Sequence, residues 1–155
     1  MKTGEKIITL FSTGFYTGYV PIAPATFSTL TLGVALYLLV SRLNPYIYGL
    51  LTLILFFLAI WLSDKSEKIF QEKDCRHIVI DELVGFLITM FLVPLEWIHL
   101  MLGFLFFRFF DIIKPPPANI FNKRKKGGLD VVLDDVIAGI YSNLLLQIVH
   151  YCFLN

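Results

Sequence analysis

The sequence predicts an all-α fold, a multi-pass transmembrane helical bundle with about four to five membrane helices, some of them short or broken. Of its 155 residues, 57% are hydrophobic and only 16% are charged, whereas an ordinary soluble domain has about 25% charged residues. The mean hydropathy of +0.74 agrees with lipid as the solvent. A soluble helical fold is the alternative, and the charge content and hydropathy disfavour it. At this length we expect a single membrane-embedded domain, residues 1–155.

Five apolar stretches supply the predicted membrane helices. They are residues 27–40, 46–62, 83–93 with a continuation past Pro94, 97–113 and 131–154. A helix that crosses the hydrocarbon needs about 20 mainly apolar residues, and several of these stretches are shorter or charged at one end. We therefore expect some helices to begin or end inside the protein, near one membrane face.

The basic residues are distributed as a membrane topology requires. If the N-terminus and the connecting segments 63–77 and 114–128 are cytoplasmic, they hold nearly all of the 13 Lys and Arg residues. Only Arg42 then lies outside, and Arg108 is buried. Because Lys and Arg concentrate in cytoplasmic loops, this pattern predicts a cytoplasmic working face. No long apolar region with a cleavage site follows the N-terminus, so no removable signal peptide is predicted.

Five acidic residues lie within or beside the apolar stretches, near the predicted cytoplasmic ends of their helices. They are Asp81, Glu82, Asp111, Asp134 and Asp135. An ionised group in hydrocarbon costs about 2.5–3.5 kcal/mol, so several unpaired acids would cost about as much as the stability of a whole domain. We therefore expect these acids to converge with cations or to reach water, which predicts one polar site.

Two cations flank one of these acids. Arg108, Asp111 and Lys114 are spaced three residues apart and share a helix face. An internal salt bridge is one interpretation of this triplet. A phosphate site is the other, because an arginine fork matches phosphate oxygens and a lysine adds a second positive charge. The other acids at the same depth favour the second interpretation.

The acid cluster favours a hard cation. Carboxylates without His or Cys partners suit Mg²⁺, which takes one or two protein carboxylates, several waters and substrate phosphate. His77 and His99 lack the paired spacing of metal-binding histidines. The two cysteines, Cys75 and Cys152, form no metal or redox motif.

A polar stretch at residues 12–26 precedes the first apolar stretch and includes Thr13 and Gly14. Glycines and hydroxyls ahead of a helix can present backbone N–H groups to an anion. A simple loop with a helix N-cap at Thr26 or Ser28 explains the same residues equally well.

Four groups of residues, in this order along the chain, resemble the motifs of a known family. They are Thr13-Gly14-Phe15 with Gly18 and Ala23-Pro24-Ala25-Thr26; Asp81-Glu82-Leu83-Val84-Gly85; Phe107-Arg108-Phe109-Phe110-Asp111-Ile112-Ile113-Lys114-Pro115-Pro116-Pro117; and Gly127-Gly128 with Asp134-Asp135-Val136-Ile137-Ala138-Gly139. Together they resemble phosphatidylglycerophosphatase A. The resemblance covers most of the chain.

The resemblance implies a Mg²⁺-dependent hydrolase of the bacterial inner membrane that converts phosphatidylglycerophosphate to phosphatidylglycerol in acidic phospholipid synthesis. The expected partners are this lipid phosphomonoester and membrane lipids, with no nucleic acid; the sequence leaves the oligomeric state open. In this hypothesis the five acids supply the Mg²⁺ ligands and one general base, with the roles unassigned among them. Four further residues are predicted to bind the phosphate. These are Arg108, Lys114, Thr13 and Gly14.

Three alternatives belong to other functional classes. An ion or small-solute transporter would use the same charges as a pathway, but the polar groups crowd one face of the membrane instead of crossing it. A phosphotransferase acting on nucleotide-activated lipids would need an extended Asp-Gly/Ala-Arg pattern that the sequence lacks. A structural subunit would not need five acids at one depth.

Overall fold

A computed structural model describes residues 2–73, 75–124 and 127–154 of the chain, and all regular structure in these ranges is helical. The predicted all-α class is thereby confirmed. In chain order the helices are α1 Thr3–Ser12, α2 Pro24–Val40, α3 Pro45–Phe70, α4 Ile80–Thr89, α5 Trp97–Ile113, α6 Ala118–Arg124 and α7 Gly128–Val149.

In the part of the chain that the structure describes, two helices are long and apolar enough to cross a membrane. The first is α3, Pro45–Phe70. The second is α7 together with its continuation beyond Val149, which gives a helix from Gly128 to Phe153. Helix α3 leaves large apolar side chains such as Phe57 and Trp61 half exposed or more, a surface suited to lipid. Helices α2, α4 and α5 are apolar but shorter. The predicted number of four to five membrane helices is therefore not established by helix length.

The start of α2 differs from the expected one. Pro24 is its first residue and Ala23 precedes it, without a side-chain cap. Thr26 and Ser28 therefore lie inside the helix, and neither is its N-cap. Proline suits this position because its fixed φ is helical and its missing N–H would have had no partner there.

Helix α7 is the centre of the bundle, in contact with α3, α4, α5 and α6. Its closest neighbour is α4, where Gly85 and Gly139 face each other. A Cβ atom on Gly139 would collide with the carbonyl oxygen of Gly85, and one on Gly85 would lie 2.7 Å from the carbonyl oxygen of Asp135. Small residues allow the backbones of two apolar helices to approach in this way.

Helix α4 has only ten residues, and its last carbonyl groups lack donors within the helix. Side chains of α7 donate to the carbonyl group of the last residue of α4, Thr89, and to carbonyl groups of the segment that follows. The amide of Asn143 donates to the carbonyl oxygens of Thr89 and Phe91 at 2.9 and 2.8 Å, and that of Gln147 donates to Leu92 at 3.2 Å. Since unpaired backbone groups are very costly away from water, these two amides allow α4 to end inside the bundle.

The other end of α7 is fixed to α3. The Asp64 carboxylate accepts a hydrogen bond from the Gly128 N–H at 2.5 Å, and carboxylates are favourable at a helix N-terminus. A side chain on Gly128 would press against the backbone of α3, with its Cβ 2.6 Å from the Asp64 nitrogen. This contact sets the position of α7 along the axis of the bundle, and hence the position of the acids in its second turn.

We expect Gly85→Ala to destabilise the fold by about 1–3 kcal/mol, as overpacking of a well-packed interior usually does. The new methyl carbon would lie 2.6 Å from the ring of Phe107. Thermal unfolding of the purified protein in detergent measures the effect. Gly49→Ala is the matched control, because there the nearest atom, on Phe91, is 3.8 Å away. Equal melting temperatures for the two variants would contradict the tight contact between α4 and α7.

Candidate active site

Five carboxylates from three helices line one cavity of about 220 Å³. Helix α4 contributes Asp81 and Glu82, α5 contributes Asp111, and α7 contributes Asp134 and Asp135. The remaining wall consists of Pro24, Ala25, Cys75, Arg76, Ile78 and Lys114. The convergence expected from the cost of burying charge is therefore observed, while the roles of the individual acids stay a prediction.

The start of α4 places two of the acids. The Val79 N–H donates to the Ser12 carbonyl oxygen at 2.9 Å, which ties the beginning of α4 to the end of α1. Asp81 and Glu82 follow in the first turn, where the partial positive charge of a helix N-terminus stabilises carboxylates. Successive residues of a helix point about 100° apart, so the pair covers a broad arc of the wall.

Arg108 holds two of the acids together. Its guanidinium lies 2.9 Å from Asp111 and 3.7 Å from Glu82, with all three side chains largely buried. Arg108 itself is not part of the cavity wall. It therefore neutralises carboxylates from α4 and α5 from a position outside the wall. Direct contact between Arg108 and a phosphate stays a prediction.

Lys114 lies in the cavity wall and pairs with Asp134 of α7. Its ammonium group is also 3.9 Å from Asp111. The backbone at Lys114 is left-handed, with φ of +48°, and Pro115 behind it disfavours the helical conformation. Helix α5 thus ends at Ile113, and the lysine side chain connects α5 to α7.

The environment of Lys114 keeps it charged. Burial alone would lower the pKa of the Lys114 ammonium, but Asp134, with smaller effects from Asp135 and Asp111, raises the pKa above its ordinary value. Because this pKa is raised, Lys114 is a permanent cation of the site at neutral pH. The raised pKa of the folded state also stabilises the fold, fully at pH values below the unfolded pKa, and this stabilisation is lost as pH rises through the folded pKa.

The structure does not bring Thr13 and Gly14 to the cavity. The Thr13 hydroxyl donates to the Thr9 carbonyl oxygen at 2.7 Å and accepts from the Tyr16 N–H at 3.2 Å. Gly14 lines a separate apolar groove. Pro24 and Ala25, further along the same polar stretch, reach the cavity instead. Phosphate binding by Thr13 and Gly14 stays a prediction without support from this geometry.

Comparison with known proteins identifies the family. The model of the phosphatidylglycerophosphatase A family matches residues 10–150. The chain belongs to this family. The resemblance noted in the sequence is thereby confirmed, and with it the enzyme class, a phosphatase.

Three relatives match this chain along most of their length. Phosphatidylglycerophosphatase A of Haemophilus influenzae is 33% identical over 148 residues, 95% of this chain and 91% of the relative. The Escherichia coli protein of the same name is 31% identical over 134 residues, covering 86% and 77%. A Bacteroides thetaiotaomicron protein, provisionally named a phosphatidylinositol-3-phosphatase, is 35% identical over 159 residues, covering 97% and 98%. No solved structure matches the chain.

The donor set of this phosphatidylglycerophosphatase A family member fits Mg²⁺. Within residues 2–73, 75–124 and 127–154, no three His, Cys, Asp or Glu side chains are arranged to hold a metal ion by themselves. Mg²⁺ needs only one or two protein carboxylates, because water and substrate phosphate complete its shell. The five acids outnumber the nearby cations Arg76, Arg108 and Lys114, and this formal excess of negative charge is compatible with a divalent cation.

Sequence reasoning missed two residues of the site. The Thr29 hydroxyl of α2 donates to the Glu82 carboxylate at 3.3 Å, although Thr29 belongs to the apolar stretch 27–40. Arg76 lines the cavity, although the sequence pattern indicates only a cytoplasmic basic residue at this position. A hydroxyl inside an apolar helix and a cation shortly before Asp81-Glu82 were the available signals.

We expect Lys114→Met to lower stability by about 1–3 kcal/mol, between the values for surface and buried ion pairs, because the ion pair between Lys114 and Asp134 is lost. Lys114→Arg keeps the positive charge and should recover most of the loss. Thermal unfolding in detergent compares the two variants. A methionine variant as stable as the parent would show that the contact with Asp134 contributes little.

Proposed function

We propose that this chain is a Mg²⁺-dependent phosphatase that hydrolyses phosphatidylglycerophosphate to phosphatidylglycerol and inorganic phosphate at the cytoplasmic face of the bacterial inner membrane. The observation that supports it most directly is the cavity in which acids from α4, α5 and α7 meet beside Lys114. Membership of the phosphatidylglycerophosphatase A family supports the reaction and the substrate.

The residues of the cavity suit hydrolysis of a phosphate ester. Lys114 faces the cavity as a permanent cation and is placed to bind a phosphate oxygen. Arg108 fixes Glu82 and Asp111, which keeps the acidic wall in position as charge develops on the phosphoryl group. One of the five acids accepts the proton of the attacking water. One or two of the acids would hold Mg²⁺, which when bound would supply further stabilisation of the phosphoryl oxygens.

A cysteine nucleophile has no support. Cys75 lies in the cavity wall but is only 3% exposed. Burial raises the pKa of the Cys75 thiol, and the thiolate is the nucleophilic form. Arg76 directly follows Cys75, but the residues five and six positions after Cys75 are Ile80 and Asp81, not the arginine that a cysteine phosphatase requires. We therefore infer direct attack by water.

The helix directions support a site at one membrane face. The acids lie at the beginnings of α4 and α7 and at the end of α5, and Asp64 near the end of α3 binds the start of α7. If these helices are embedded together, every polar group of the cavity lies at the same end of the bundle. The basic residues of the adjoining connections support the cytoplasmic side. A transporter is disfavoured because its polar groups would continue across the membrane.

The proposed reaction can be tested directly. Purified protein in detergent should release inorganic phosphate from phosphatidylglycerophosphate when Mg²⁺ is present. EDTA should stop the release and excess Mg²⁺ should restore it. Release that persists in EDTA would refute the metal requirement. Release from phosphatidylinositol 3-phosphate alone would move the substrate toward the one in the Bacteroides thetaiotaomicron relative's name.

The role of the acids in the reaction can be tested by substitution. Asp81→Asn, Asp111→Asn and Asp135→Asn should each lower the rate by about 10²-fold or more, as removal of a charge-stabilising or acid–base group does. Each variant should remain extractable and folded, because asparagine is close in size to aspartate. Glu72→Gln is the control, an acid exposed on the connection between α3 and α4. Near-normal rates in all three variants would remove the acid cluster from the mechanism.

A further inference from the structure

We propose that Arg76 binds the phosphodiester of the lipid substrate at the mouth of the cavity, and so favours lipids with a second phosphate beyond the one removed. The inference rests on the proposed phosphatase function, since it needs a phosphomonoester in the same cavity. It assigns a specificity-determining role to a residue outside the motifs from which the family resemblance was drawn.

The cations around the cavity are not equally available to a ligand. Arg108 is engaged with Asp111 and Glu82 and stands outside the wall. Lys114 is in the wall but is already paired with Asp134. Arg76 is in the wall, and no ion pair or hydrogen bond between side chains of the described residues engages it. Among the described residues, its guanidinium therefore has no carboxylate to lose before it binds an anion.

Arg76 and the acids lie at different depths. Arg76 is exposed, whereas Asp81 is 7% and Asp135 is 4% exposed. A phosphomonoester that reaches the acids must occupy the inner part of the cavity. In phosphatidylglycerophosphate a glycerol connects this phosphomonoester to the phosphodiester, so the phosphodiester lies nearer the mouth of the cavity. The two non-bridging oxygens of a phosphodiester match the paired N–H groups of a guanidinium.

The backbone at Arg76 is held in place on both sides. Cys75 and Ile78 are buried at 3% and 5% exposure. His77 donates from Nδ1 to the Gly18 carbonyl oxygen at 2.8 Å, and its ring stacks on Tyr19 with centroids 4.6 Å apart. A fixed backbone lowers the ordering cost of binding. Such anchoring is not required of an arginine that only faces water.

The test separates the two phosphates of the substrate. In the full-length protein in detergent, Arg76→Gln should raise KM for phosphatidylglycerophosphate roughly tenfold, the value of one hydrogen-bonded charge contact, and leave kcat within about twofold. Phosphatidylglycerol keeps the phosphodiester and lacks the phosphomonoester. Its inhibition constant should rise by the same factor as KM, while that of inorganic phosphate should not change. Arg76→Lys should recover part of the loss.

Lys73→Gln is the matched control, because it removes a positive charge from the same connection and Lys73 lies outside the cavity wall. Equal effects of the two variants would reduce Arg76 to a general electrostatic contribution and overturn the proposal. Unchanged KM and inhibition constants for Arg76→Gln would also overturn it, as would weaker inhibition by inorganic phosphate alone. An unmodified protein that releases no phosphate would instead refute the proposed function.

Discussion

Five carboxylates in a mostly apolar helical bundle must be kept together, and the close contact of α4 with α7 achieves this. Gly85 and Gly139 bring the two backbones so near that no larger side chain fits between them. Asp81 and Glu82 begin one helix, and Asp134 and Asp135 lie in the second turn of the other. Without that contact the two pairs of acids would be separated, and each would bear its desolvation cost alone.

Arg108 and Lys114 compensate the negative charge of different acids. Arg108 pairs with acids of α4 and α5 from outside the cavity, and Lys114 pairs with α7 from within its wall. All three helices that supply acids are thus joined by ion pairs as well as by packing. Breaking such pairs is costly because it leaves a charge uncompensated away from water. The same residues that suit phosphate chemistry therefore also hold the bundle closed at this end.

Much of this arrangement was predictable because charge in lipid has few acceptable positions. The acids at 81, 82, 111, 134 and 135 were expected to converge, and they line one cavity. Finer features depend on three-dimensional detail that spacing does not determine. The position of Arg108 outside the cavity wall, beside Glu82 and Asp111, depends on which side of α5 faces α4. The position of Thr13 and Gly14 away from the cavity depends on left-handed turns at Phe15 and Tyr16, which no sequence pattern announced.

Helix α4 is connected to α7 at both of its ends. At one end the connection runs through α5, since Arg108 pairs with Glu82 and Lys114 pairs with Asp134, and at the other Asn143 donates to the last carbonyl group of α4. The two helices therefore form one mechanical unit. A bilayer that thickens, thins or bends around the protein would have to break these contacts before it changed the spacing between the carboxylates of α4 and α7. An enzyme of this construction would keep its reaction geometry while the lipid composition that its own product alters changes around it.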